Sequence, residues 1–379
     1  MKGWRRIALC FAVLATLPLA GCWDYQRINF REQVIGVGID PVEGRSDLYR
    51  FTFQSPVFTP AQRGGAGQTS GEANSTANYR NLSVVAAGFN EAVTRAQDQT
   101  DRALFLGNLE TIVINRRLTT AQIQTLLGEL VRTMQTGSTT VLVASDGPAA
   151  EVLAIRRDTA PAEMINRYDD VVKQVAHKTR SMLWEFWRDY LTEGQEPVIG
   201  MVCAEGDHVD FAGTLLFSGT RPVDELGVDD TLAYQLLVGK ARRFTLRFTN
   251  GEHPFSLYFL RSHTRLQCDW RQPGQDLLSA HVKLQAILIQ DDQRWTHAIS
   301  REQLRRYEEI AAQDLARRLN RTLAQLQRDG VDVAGFGRRV LYAHPELEHQ
   351  LDQRWPDRFP RAQRDIRVEV HILQKGRIV

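Results

Sequence analysis

Residues 33–40, Gln-Val-Ile-Gly-Val-Gly-Ile-Asp, form an apolar run of strand length and predict a buried β-strand. Residues 48–53 alternate apolar and polar and predict a second strand. Asp40-Pro41 and Glu43-Gly44 between them are turn signals, so the two strands should pair as a hairpin. Residues 59–80 are rich in Gly, Ser, Thr and Asn with no apolar period, which predicts a surface loop. The pattern then predicts a helix over 82–96, with Val85, Phe89 and Val93 on one face, and a strand over 109–114. A helix over 119–133 capped by Thr119 or Thr120, a strand over 139–144 and a helix starting at 149–155 follow.

Met164, Tyr168, Val171, Val172, Val175, Thr179, Met182, Leu183, Phe186, Trp187 and Tyr190 fall at spacings of three and four. That spacing predicts one long amphipathic helix with an aromatic stripe. The stripe reads as an internal face against a sheet; the sharper alternative is a docking face for a partner. Beyond Val198 strands dominate. Residues 211–217 end at a Ser218-Gly219-Thr220 turn, and a helix is expected over 226–237. Residues 244–248, 255–260, 265–270 and 281–289 predict an antiparallel meander. A second long helix should run from about 301 to 327, with Leu304, Tyr307, Ala311, Leu315, Leu319 and Leu326 on its apolar face. Ser300 is its expected N-cap and Gly330 its stop. A closing strand over 366–372 completes the pattern. The fold class expected is mixed α/β of the α+β kind, with mixed, largely antiparallel sheets and long amphipathic helices. Three consecutive domains are expected, at 22–160, 161–245 and 246–379.

The first 21 residues change the compartment. Lys2, Arg5 and Arg6 precede an apolar stretch over 7–20, and Leu19-Ala20-Gly21-Cys22 closes it. This is a secretory signal peptide whose cut leaves a cysteine at the new N-terminus. The run is shorter than the roughly 20 residues needed to span a bilayer. Cys22 is therefore the expected site of a diacylglycerol, and the chain reads as a lipoprotein precursor tethered to a membrane outside the cytoplasm. No second apolar run of spanning length follows.

Composition, at 43% hydrophobic and 24% charged, allows a large core. The net charge of +2 becomes −1 when Lys2, Arg5 and Arg6 leave with residues 1–21, which argues against nucleic acid as the main partner. Of four cysteines, Cys10 leaves with the signal and Cys22 takes lipid. Cys203 and Cys268 remain, either as a disulfide or, the better reading, as buried free thiols. Their spacing suggests no metal.

No catalytic constellation stands out. Gly36-Val37-Gly38 lacks the third glycine and helix of a dinucleotide site, and Gly335-Phe336-Gly337 reads as a turn with no P-loop lysine. No Gly-x-Ser-x-Gly elbow is present. Asp169-Asp170, Asp229-Asp230 and Asp291-Asp292 are sequence neighbours whose side chains point apart, so caps or turns are expected. The nine histidines are scattered, and His344 and His349 share no helix face. A non-enzymatic role with no cofactor and no metal is expected.

Several stretches, in order, resemble one family. They are Gly21-Cys22-Trp23-Asp24 with Arg27, Ile28 and Asn29; residues 35–40; Leu104 to Leu109 with Ile112-Val113-Ile114; Gly213 to Phe217; and Asp332-Val333-Ala334-Gly335-Phe336-Gly337. Pro345, Trp355, Phe359 and the final Val368-Glu369-Val370 to Gly376 close the series. Together they are similar to the C-subunit lipoproteins of spore germinant receptors, the Ger(x)C family. The chain departs from it at Tyr25-Gln26 and at Asn108. The resemblance implies a three-domain α/β body, lipid-anchored at Cys22 to the inner spore membrane and facing away from the cytoplasm. It also implies work with integral-membrane A and B subunits in a complex that senses small nutrients and triggers germination, without enzymatic activity. It assigns no germinant-binding residue. The runner-up is a solute-binding lipoprotein of the bacterial envelope, a class built from two similar doubly wound lobes around a cleft.

Overall fold

In the computed structural model, residues 31–57, 78–132, 139–171, 176–251, 253–291 and 300–373 are described. The architecture is mixed α+β, built around a large mixed sheet and a smaller, mainly antiparallel one. The large sheet starts from the expected hairpin: β2 (Gly36–Val42) runs antiparallel to β3 (Arg45–Pro56), with Val37 opposite Phe53. β4 (Tyr79–Ala86) continues it outward from β3. On the other side of β2, β6 (Thr111–Asn115), β7 (Val141–Ser145) and β9 (Val198–Glu205) lie parallel in succession. β10 (His208–Ser218) and β11 (Arg221–Leu226) finish it as an antiparallel pair, and β8 (Ser181–Met182) adds two residues beside β7. A short parallel pair, β1 (Arg31–Gln33) with β5 (Ala103–Phe105), stands apart.

Helices cover both faces of this sheet. On one face, α1 (Phe89–Gln97) and α2 (Thr120–Arg132) pack over Phe51, Phe53, Ile112 and Leu142. On the other, α3 (Ala149–Ala154) and α4 (Pro161–Val171) pack over Val113, Val141 and Val143. Double coverage explains why β6 and β7 are buried at every position and read as unbroken apolar runs. It also explains Gly36 and Gly38. A Cβ on Gly36 would stand 2.5 Å from the Ala162 Cβ, and one on Gly38 would stand 3.1 Å from Leu153 Cδ1. These glycines let helices approach the sheet; no phosphate cradle is involved.

The second body follows α5 (Leu183–Leu191) and α6 (Val228–Leu237). Its sheet is β12 (Phe244–Asn250), β13 (His253–Asp269) and β14 (Leu277–Asp291) as a meander, closed by β15 (Gln363–Ile372) parallel to β14. One face is covered by α7 (Arg301–Asp329), whose Tyr307, Ala311, Leu315, Leu319 and Leu326 are buried. α7 has both expected caps. Ser300 accepts from Gln303 N at 3.1 Å while Gln303 accepts from Ser300 N at 3.1 Å, and Gly330 is left-handed at φ 71°.

Two expected helices differ. Residues 82–86 belong to β4, because Val84 and Ala86 face the core opposite Phe51 and Tyr49. The helix begins only at Phe89, after an extended Gly88. The long helix expected from Met164 to Tyr190 is two, α4 and α5, separated by β8. Thr179 and Ser181 drive the break. Their buried hydroxyls bond Thr214, Gln235 and the Val198 carbonyl at 2.6–2.8 Å, partners that a continuous helix could not reach. The strands expected at 255–260 and 265–270 are one bulged strand, β13. The segment expected as a middle domain, 161–245, contributes α4 and β8–β11 to the large sheet and α6 to the second body.

Candidate functional site

The two bodies interlock where the loop between α5 and β9 meets the loop before α8 (Phe336–Ala343). Glu196 N donates to the Asp332 carbonyl and Arg338 N to the Gly194 carbonyl, each at 3.1 Å. Gly194 is left-handed at φ +70°, and a Cβ there would fall 2.7 Å from the Gly337 carbonyl carbon. Only glycine fits that contact.

Asp332 organises the joint. Its buried carboxylate accepts from Gly335 N at 2.8 Å, Gly337 N at 2.7 Å and Trp355 Nε1 at 3.0 Å. Burial pushes the carboxyl up to about 6, against the pull of those donors. Trp355 lies on α9 (Glu348–Arg358) and stacks 6.2 Å from Trp270. Arg358 sits 3.6 Å over Trp270 and pairs with buried Asp276 at 2.5–2.8 Å. Burial also raises Glu196, which accepts from Gly219 N at 2.6 Å. Nearby, Gln325 of α7 donates to Asp224 of β11 at 2.9 Å. Asp329 is pushed up to about 6 by burial and then by the Asp224 carboxylate beside it. A cleft of about 400 Å³ opens on this joint, lined by Tyr190, Leu191, Gln195, Asp332, Trp355 and Phe359.

Outside the joint lies an apolar surface. Leu191 is 74% exposed, Tyr342 68%, Trp184 43% and Tyr190 37%. They are four of the seven large apolar residues exposed among the described residues; Trp184, Tyr190 and Leu191 share α5 and Tyr342 lies on α8. Trp184, Arg188 and Leu191 form one stripe of α5 at i, i+4 and i+7. Arg188 lies 5.0 Å from the Trp184 ring, and Arg338 and Arg339 flank Tyr342 at 6.0 and 5.8 Å. The expected stripe is thus divided: Leu183 and Phe186 are core, while Tyr190 faces outward; Trp184, which lies off that stripe, is exposed as well. Tyr342, Leu191, Arg338 and Arg339 were not singled out from sequence, because the loop after α5 meets the start of α8 only in the folded chain, more than 140 residues apart.

Other candidates resolve locally. Cys22 lies outside the described residues. Cys203 is half-buried on β9 and Cys268 buried on β13; both are free thiols, and burial raises both. Asp229 and Asp230 occupy the first turn of α6, where Asp230 accepts from Thr322 Oγ1 at 2.9 Å. Asp169 and Asp170 lie in α4, Asp291 ends β14, and Asp292 lies outside the described residues. His344 follows α8 and contacts Glu346 at 3.1 Å, while His349 lies on α9. Among the described residues no cluster of His, Cys, Asp or Glu could hold a metal, and no helix is long and apolar enough to cross a membrane.

Residues 24–203 match the family model for the spore germination protein N-terminal domain. Residues 212–376 match that for the spore germination B3/GerAC-like C-terminal domain. The chain is 22% identical to the putative spore germination protein YfkR of Bacillus subtilis, covering 95% of this chain and 93% of that one. It is 21% identical to spore germination protein B3 of the same organism over the full length of both. The solved structure of the GerBC protein superposes with a TM-score of 0.58 at 18% identity, covering 89% of this chain and 97% of that one, and shares the fold. With both halves matched in order, the chain belongs to the Ger(x)C family of spore germinant-receptor C subunits.

Proposed function

We propose that the chain is the lipid-anchored, non-catalytic subunit of a nutrient germinant receptor. Acyl chains on Cys22 hold it to the outer face of the inner spore membrane, where it works with integral-membrane A and B subunits in germination. The α5–α8 surface is its docking face for those subunits. The observation that carries this is the exposed Trp184, Leu191 and Tyr342 beside Arg188, Arg338 and Arg339. Exposed aromatics rimmed by arginine have the composition of interface anchors. A solute-binding lipoprotein is a poorer fit, since the two bodies are unlike each other and the cleft between them is crossed by backbone hydrogen bonds.

The test is co-purification from spores. Trp184→Glu with Leu191→Glu should release the membrane subunits and slow nutrient germination, with the thermal midpoint unchanged. Normal assembly in that variant would refute the docking face. Cys22→Ser should move the chain out of the membrane fraction; retention after a high-salt wash would refute the anchor.

A further inference from the structure

The four-stranded sheet packs α7 on one face, and on the other face the outward positions along the second half of β13 are exposed. Along β13 the outward positions are Arg261, His263 and Arg265, all exposed. Arg247 of β12 is exposed opposite Ser256, further along the same sheet, and Lys283 of β14 stands opposite His263. Arg242 and Arg243 precede β12, and the Ser262 hydroxyl donates to the Ala241 carbonyl at 2.5 Å, which places both arginines next to Arg261.

Charge is segregated on this face. On β15 Asp365 holds Arg367 at 2.9 Å and Glu369 holds His281 at 2.7 Å and Lys283 at 3.1 Å, and at the far end of β13 Asp269 holds Arg271 at 2.9 Å. Arg242, Arg243, Arg247, Arg261 and Arg265 have no carboxylate partner among the described residues. A mature chain near neutrality thus concentrates unpaired arginine at one edge of one sheet. Arg243 adds an independent sign. It has φ 50° and is the one non-glycine residue with positive φ among the described residues. Glycine or asparagine takes that conformation at lower cost, so the turn alone does not explain an arginine there.

We propose that this arginine edge of β12 and β13 contacts anionic phospholipid headgroups. Guanidinium forks fit phosphate oxygens bidentately. The proposal rests on the membrane anchor proposed above, because an acylated Cys22 keeps the body at the bilayer.

The experiment uses the mature chain carrying Cys22→Ser, hence unacylated, and sedimentation with vesicles. It should bind vesicles of equal phosphatidylglycerol and phosphatidylcholine at low salt, and release at high salt. Arg261→Glu with Arg265→Glu should weaken binding at least about tenfold, since each basic residue at an anionic surface is worth roughly fivefold. Arg261→Lys with Arg265→Lys should retain most of it, and thermal midpoints should match. Equal capture by pure phosphatidylcholine, no capture by the anionic vesicles, or unchanged binding by the Glu variant would overturn the proposal. No capture by vesicles together with loss of receptor co-purification in the Glu variant would point to an acidic protein surface and overturn the lipid assignment. Membrane fractionation of the acylated chain reports on the anchor separately, so failure of this face and failure of the anchor are distinguishable.

Discussion

The two sheets solve the same burial problem differently. The large sheet is sandwiched by α1 and α2 on one side and by α3 and α4 on the other. The four-stranded sheet is covered by α7 on one side and left open on the other. The consequence is visible residue by residue. In β6 and β7 all positions are buried, whereas the far half of β13 alternates exposed with covered. A sheet wrapped on both faces commits both of those faces to the core. One left bare can carry a surface chemistry, and here that chemistry is arginine.

The sharpest way to break this contrast is to cut one side chain from each sheet. Phe51 is fully buried between β2, β4 and α1, with its ring 6.0 Å from Phe89. Phe51→Ala should cost about 3–5 kcal/mol in chemical denaturation. Arg265→Ala, on the bare face, should stay within about 0.5 kcal/mol of the parent. A large loss at Arg265 would mean the open face is structural.

A smaller effect is expected where the bodies join. Gly194→Ala places a Cβ against Gly337 and Leu351 at positive φ. It should cost about 1–3 kcal/mol, and limited proteolysis should find the 192–197 loop newly cleavable. No change in either would mean the bodies hold together without this contact.

The smallest effect depends on pH. Asp329 is raised in the folded state by burial and by Asp224, so its favourable contribution is complete below the ordinary carboxylate range and is lost as pH rises through about 6. Asp329→Asn removes a charge that the fold disfavours at neutral pH. The variant should therefore gain thermal stability relative to the parent at pH 8 and lose that advantage at pH 4. An advantage independent of pH would remove Asp224–Asp329 repulsion from the account.

Where sequence reading succeeded, the signals were local. Ser300, Gln303 and Gly330 cap α7 with atoms a few residues away, and its apolar spacing needs only a helix with a core on one side. The same holds for Thr119, whose hydroxyl accepts from Gln122 N at 3.4 Å at the start of α2. Where reading failed, distant partners decided. Residues 82–86 carry a helical spacing, yet pairing with β3 makes them a strand. The stripe from Met164 to Tyr190 has good helical period, yet Thr179 and Ser181 find partners 17–56 residues away and interrupt it. Histidines that look scattered include His263 and His281 on one open face, which only the β13–β14 register reveals.

By itself the sequence determined the family, the α+β class and the capped helix α7, because each depends on short-range pattern. The tertiary structure decided which aromatics of the stripe are core and which are exposed. It also brought Gly194 onto Gly337 and set Arg242 and Arg243 near Arg261 and Arg265, without carboxylate partners among the described residues. Those outcomes depend on contacts between residues far apart in the chain, and no local periodicity encodes such a meeting.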